Sequence, residues 1–205
     1  VASTAKIKLA TGTVTVVQKT DYPWSGEMTL TLQPSAPAEF DLYVRIPGWS
    51  RIPEIKIVVA GTPLAGFAID RGYVKIHRSW KADDTVQLSL PMPVERLLAH
   101  PNVAADHGKV ALQCGPVVYC VEAVDNGGRV SNLLLPRDAE LIAGKRPDLL
   151  NGVVVVKAKG FAVEPTEWTG KLYQPMTGTR PAEITAIPYY AWDHREPGEM
   201  EVWLP

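Results

Sequence analysis

The stretch that decides the fold is residues 38–46, AEFDLYVRI. Phe40, Leu42, Val44 and Ile46 alternate with Asp41, Tyr43 and Arg45. An extended chain sends successive side chains to opposite faces, so this order puts four apolar groups on one side and polar ones on the other. At helical spacing the same residues would scatter around the axis. The period therefore predicts a half-buried strand. The same alternation runs outward in both directions: Ile7 and Leu9 against Lys6 and Lys8, Val14 and Val16 against Thr13 and Thr15, and Met28, Leu30 and Leu32 against Thr29 and Thr31. Further on, Ile55, Ile57 and Val59 repeat it, followed by Val74 and Ile76, and then by Val86, Leu88 and Leu90.

Eighteen prolines in 205 residues punctuate these runs, usually just after an apolar-alternating stretch. Proline removes a backbone donor and clashes with the preceding turn, so a chain this rich in it forms few long helices. Strands at short, regular spacing with Gly, Pro and Asp between them are the mark of a sandwich or barrel. The expectation is an all-β fold of two consecutive antiparallel β-sandwich domains, jelly-roll or Ig-like. After Pro93 the pattern breaks. VERLLAHPNVAADHG is the best helical candidate, limited to about two turns by Pro101 and read as a connector. Strands are then expected at Lys109–Leu112, Val117–Glu122, Val153–Lys157, Ala182–Pro188 and Glu199–Leu204, with a loop-rich stretch over 125–151. This divides the chain into a first sandwich, 1–98, and a second, 99–205.

Composition excludes several function classes. Lys and Arg number 21 against 22 Asp and Glu, a net charge of -1, which argues against a nucleic acid or an anionic membrane held mainly by charge. No apolar run approaches the ~20 residues that span a bilayer, so a soluble chain is expected. No basic stretch followed by an apolar run stands near Val1, so no signal peptide is read, and a chain opening on VASTAKIKL is expected to be cut from a longer one. The compartment is left unassigned.

Little in the chain looks like catalysis. Cys114 and Cys120 flank GPVVY on what reads as one extended segment, which would separate them by about 20 Å, too far for a bridge or a shared ion unless the chain bends at Gly115-Pro116. Buried thiols are the expected reading. The four histidines, His77, His100, His107 and His194, sit in no nucleophile turn and no zinc spacing, and are expected to serve the surface or cap turns. Asp83-Asp84 reads as a turn between strands rather than a carboxylate pair, and Glu164 and Glu167 beside Trp168 lack a partner scaffold for glycoside hydrolysis. Aromatic residues offer the one functional option. Trp24, Trp49, Trp168, Tyr189, Tyr190 and Trp192 fall at strand ends or turns, where exposed rings stack on sugar faces or pack against another domain. From these, Trp24, Trp49, Tyr190 and Trp192 are the candidate sugar or interdomain contacts. No catalytic residue and no metal ligand is assigned.

Several stretches are familiar together: DYPWSGEMTLTL (21–32), YVRIPGWS (43–50), GYVKIHRSW (72–80), LPMPVERLLAHP (90–101), GKVALQCGPVVYCVEAVDN (108–126) and IPYYAWDHREPGEMEVWLP (187–205). In this order they resemble the C-terminal part of the β-L-arabinofuranosidase family, glycoside hydrolase family 127, over nearly the whole chain. The resemblance implies an N-terminal (α/α) barrel that carries catalysis, followed by two β-sandwiches, which this chain would be. The family's zinc-bound cysteine nucleophile and its glutamates belong to that barrel. No motif here matches them, so no cofactor is expected in this chain. Cys114 stands where the family pattern carries an arginine, a departure that argues against a family role for it. The functional expectation is a non-catalytic accessory region with the barrel as partner, with a homodimer and a carbohydrate as further partners to test; the alternative is a carbohydrate-binding module using surface aromatics.

Overall fold

A computed structural model describes residues 1–164, 170–175 and 178–205. They form two compact units, Val1–Pro93 and Val94–Pro205. Among the described residues every long element is a strand, every strand pairing is antiparallel, and the helical pieces are single 3-10 turns. No helix among the described residues is long and apolar enough to cross a membrane.

The first unit holds β1 (Ser3–Leu9), β2 (Gly12–Thr20), β3 (Glu27–Pro34), β4 (Ala38–Arg45), β5 (Lys56–Val59), β6 (Thr62–Pro63), β7 (Ile69–Asp70), β8 (Tyr73–Trp80) and β9 (Asp84–Ser89). They form a six-stranded sheet in the order β1-β2-β3-β9-β5-β6 and a three-stranded sheet β4-β8-β7. One core joins them: Val14, Leu32, Ile57, Val86 and Leu88 from the larger sheet with Val44, Val74, Ile76 and Trp80 from the smaller. Trp80 is completely buried, and its indole N–H donates to the Phe40 carbonyl at 3.0 Å. A buried indole needs such a partner, because an orphaned donor would cost about 1–3 kcal/mol. The alternation in residues 38–46 is realised: Val44 and Ile46 are buried while Asp41, Tyr43 and Arg45 face outward. Asp83 and Asp84 lie at the β8–β9 turn, where Asp83 takes a positive φ of 65° and Asp84 accepts the Lys81 amide at 2.9 Å.

The second unit contains β10 (Val94–Leu97), β11 (Ala111–Cys114), β12 (Val117–Glu122), β13 (Leu133–Leu134), β14 (Ile142–Arg146), β15 (Val153–Val163), β16 (Thr179–Pro188) and β17 (Met200–Glu201). Their ladder runs β10-β11-β12-β16-β15-β13, with β14 on β15 and β17 on β12. Val153–Val156 is buried at every position, as a central strand covered on both faces must be. One expectation is corrected here. The helical candidate after Pro93 is strand β10, because Val94 to Leu97 pairs residue by residue with Cys114 to Ala111. Cross-strand pairing thus overrides a local helical pattern and carries the second unit back to Val94, ahead of Leu98. The stretch 125–151 holds β13 and β14, which are short and lie along β15.

Candidate functional site

β11 and β12 form a hairpin around Gly115, whose φ of 55° is open to glycine at little cost. The two cysteines therefore do not lie on one extended segment. Cys114 pairs with Val117 and shares the face of Tyr119, whereas Cys120 lies one residue out of phase, on the face of Glu122. Burial pushes the Cys120 thiol up to about 12 and raises that of Cys114 as well, so both stay protonated and poorly nucleophilic at neutral pH. A zinc site does not fit these residues: the thiols point to opposite faces, and among the described residues no three of His, Cys, Asp and Glu converge as ligands.

Glu122 ends β12 and is only 6% exposed. A buried carboxylate needs partners, and two come from the far end of the chain. The Asp193 amide donates to Glu122 Oε1 at 2.9 Å, and the Arg195 guanidinium donates to Glu122 Oε2 across 73 positions. Arg195 also grips Asp125 with both ends of its fork, from Nη1 at 2.8 Å and from Nη2 at 2.5 Å. Asp125 and then Glu122 hold the guanidinium well above its ordinary range, against the opposing effect of burial. Asn126 adds a lock between strands, donating to the carbonyls of Glu122 and Thr185 and accepting the Thr185 amide at 2.9 Å. Chemically this is a clamp. Both carboxylates are hydrogen-bonded to one guanidinium.

The clamp holds an aromatic turn. β16 ends at Pro188, opposite Tyr119, and residues Tyr189–Ala191 form a 3-10 turn leading to Trp192 and Asp193. Tyr189 and Trp192 stack with centroids 6.4 Å apart and planes 17° from parallel. Tyr190 is 60% exposed and Trp192 37%. Of the four aromatic candidates from the sequence, this turn brings together Tyr190 and Trp192. Trp24 and Trp49 belong to the first unit and are half-buried. Trp49 stacks on Tyr22 at 6.5 Å, and its indole N–H is buried without a partner among the described residues. Glu167 and Trp168 lie outside the described residues. Glu164 donates its amide to Gly178 at the end of β15. Of the histidines, His77 is bracketed by Asp41 and Glu39, His107 contacts the Pro101 carbonyl, and His100 accepts the Asn102 amide. Sequence reasoning missed the clamp itself. Its only signal was a carboxylate closing the apolar run Val117–Val121.

Comparison with known proteins decides the family. The middle domain of family 127, described as a β-L-arabinofuranosidase domain, matches residues 1–92, and the family's C-terminal domain matches residues 94–205. The chain belongs to glycoside hydrolase family 127. A non-reducing end β-L-arabinofuranosidase of Bifidobacterium longum subsp. longum is 36% identical over 215 residues, covering 99% of this chain and 32% of that protein. A crystal structure of a family 127 β-L-arabinofuranosidase from Geobacillus stearothermophilus T6 superposes with a TM-score of 0.92 at 45% identity, over 100% of this chain and 32% of that one. A second solved glycoside hydrolase gives a TM-score of 0.90 at 36% identity, over 100% and 34%. The family 127 chain thus spans about a third of the length of these relatives.

Proposed function

We propose that this chain is the non-catalytic accessory region of a β-L-arabinofuranosidase-like glycoside hydrolase, and that it buttresses an N-terminal catalytic barrel. The observation that carries the reading is its extent: a middle and a C-terminal domain together cover the chain, yet amount to about a third of relatives named as β-L-arabinofuranosidases. The site chemistry points the same way. Buried, protonated thiols and carboxylates bound to Arg195 offer no reactive group, while the clamp fixes an exposed aromatic turn in place. Large rings on a rigid mount suit a domain interface, where Tyr and Trp are enriched. The turn over Tyr189, Tyr190 and Trp192 is the surface assigned to the barrel.

Hydrolysis of p-nitrophenyl β-L-arabinofuranoside by this chain and by a version extended through the barrel tests the reading. Turnover by the extended protein alone is expected. Turnover by this chain would overturn it and return attention to Glu122 and Asp125.

A further inference from the structure

The two sheets of the first unit are unequal, six strands against three. The larger sheet overhangs at the β1–β3 side, where β1 is exposed along nearly its whole length and Met28 and Leu30 are only partly covered. β4 is an edge strand of the smaller sheet, so a cleft of about 390 Å³ opens between its edge and the overhang. That volume falls within the range of small-ligand clefts, about 300–1,000 Å³. Its floor is apolar, from Met28, Leu30 and Val44. Gln18, Tyr22, Tyr43, Arg45 and Tyr73 also line it, together with Val1, whose carbonyl accepts an N–H of the Gln18 carboxamide at 2.9 Å.

These walls are preset. Tyr43 faces Lys75 and Arg45 faces Tyr73 across the β4–β8 ladder, which makes the two tyrosines diagonal neighbours on the outer face of the sheet. Tyr43 is 57% exposed and Tyr73 42%. Arg45 lies over the Tyr73 ring at 5.4 Å, and its Nη1 donates to the carbonyls of Ile46 at 2.8 Å and Gly72 at 2.9 Å. Gly72 makes this seat available: its φ is 81°, and a Cβ there would stand 1.8 Å from Arg45 Nη1. On the opposite wall Tyr22 is backed by Trp49. Beside the cleft, Asp41 is engaged by Lys75 at 2.8 Å and by His77 at 2.6 Å, so the neighbouring charges are already matched.

We propose that this cleft is a carbohydrate-binding site that takes one or two neutral sugar rings. Phenol rings meet the apolar C–H face of a sugar, and the phenol hydroxyls and those guanidinium N–H groups of Arg45 not given to the Ile46 and Gly72 carbonyls supply the hydrogen bonds that its hydroxyls demand. Arg45, the charged side chain of the lining, is held by two backbone carbonyls and the Tyr73 ring, and no carboxylate among the described residues lines the cleft, so selection there rests on stacking and hydrogen bonds. The inference goes beyond the accessory reading and does not depend on it, since it uses different residues on the other unit.

The test is a titration of the ¹⁵N-labelled 205-residue chain with L-arabinose, methyl β-L-arabinofuranoside and cellobiose, up to about 10 mM, the weak-binding range expected of a small neutral ligand. Saturable shifts of the Tyr43, Arg45, Gly72 and Tyr73 amides are expected with at least one sugar. The double variant Tyr43→Ala/Tyr73→Ala should lose about tenfold in affinity, since each stacking ring contributes roughly half to one factor of ten. Trp192→Ala, on the aromatic turn, should bind unchanged. Both tyrosines point outward, and Tyr43→Ser alone serves if the double variant loses its folded spectrum. The proposal is overturned by no saturable shift with any of the three sugars, by shifts centred on Tyr189 to Trp192, or by a folded tyrosine variant that binds as well as the parent.

Discussion

Arg195 and Asp125 face each other fork to fork, Nη1 on Oδ1 at 2.8 Å and Nη2 on Oδ2 at 2.5 Å, and the same Nη2 reaches Glu122. One guanidinium therefore closes two carboxylates of the hairpin end onto the last loop of the chain. Bidentate geometry of this kind is a property of arginine that lysine does not share. Its consequence is that the aromatic turn between β16 and Arg195 is set by the second unit's own interior rather than by anything that touches the rings.

Removing the cation should be costly. Arg195→Met leaves Glu122 buried and uncompensated, and equilibrium urea unfolding is expected to show a loss of about 3–5 kcal/mol. Arg195→Lys restores a charge but not the fork, and should recover only part of it. A variant within about 0.5 kcal/mol of the parent would show that the clamp is a surface ion pair after all.

The thiols should be silent in the native state. With Cys120 pushed up to about 12 and Cys114 also raised by burial, neither forms thiolate near neutrality. Iodoacetamide followed by mass spectrometry should leave both unmodified in native buffer and label both in guanidinium. Rapid native labelling of either cysteine would contradict the burial that the hairpin imposes.

His77 gives the first unit a pH dependence with a defined sign. Its hydrogen bond to Asp41 raises it above its ordinary 6.5, with the charges of Asp41 and Glu39 assisting and desolvation opposing. A raised base contributes stability that is complete below 6.5 and is lost as pH rises through its folded-state value. Asp41 is lowered, by Lys75 first and His77 second, so its share is present above 3.8 and lost as pH falls through its own folded-state value. Melting curves from about pH 5 to about pH 9 should show the gap between parent and His77→Gln narrowing as pH increases. A gap that widens would reverse the assignment.

Gly72→Ala tests the seat of Arg45. At a φ of 81° an alanine is strained, and its methyl would displace Nη1, so a loss of about 1–3 kcal/mol is expected in denaturant unfolding. Gly61 shares the positive φ, at 80°, but has open space around it, so Gly61→Ala should lose only the conformational part, about 1 kcal/mol. Equal losses at the two positions would show that Arg45 yields freely.

Much of this was legible one strand at a time. Phe40 to Ile46 announced a strand and its buried face because period-2 patterning is a local property of the chain. Locality also explains the failure at Val94–Leu97, where VERLL satisfies a helical pattern equally well and only the ladder with Ala111–Cys114 selects the strand. The aromatic residues could be recognised by type, but not which of them would meet. Trp49 went to Tyr22 and Trp192 to Tyr189, while the exposed rings of the cleft proved to be tyrosines that strand alternation alone does not single out.

By itself, then, the sequence determined the all-β class and the family, since each depends on residue type and short spacing. Tertiary structure alone decided that Cys114 and Cys120 face apart, that Glu122 meets Arg195, and that Arg45 lies over Tyr73. Each of these turns on strand register, and a slip of one residue would send every side chain of a strand to its other face.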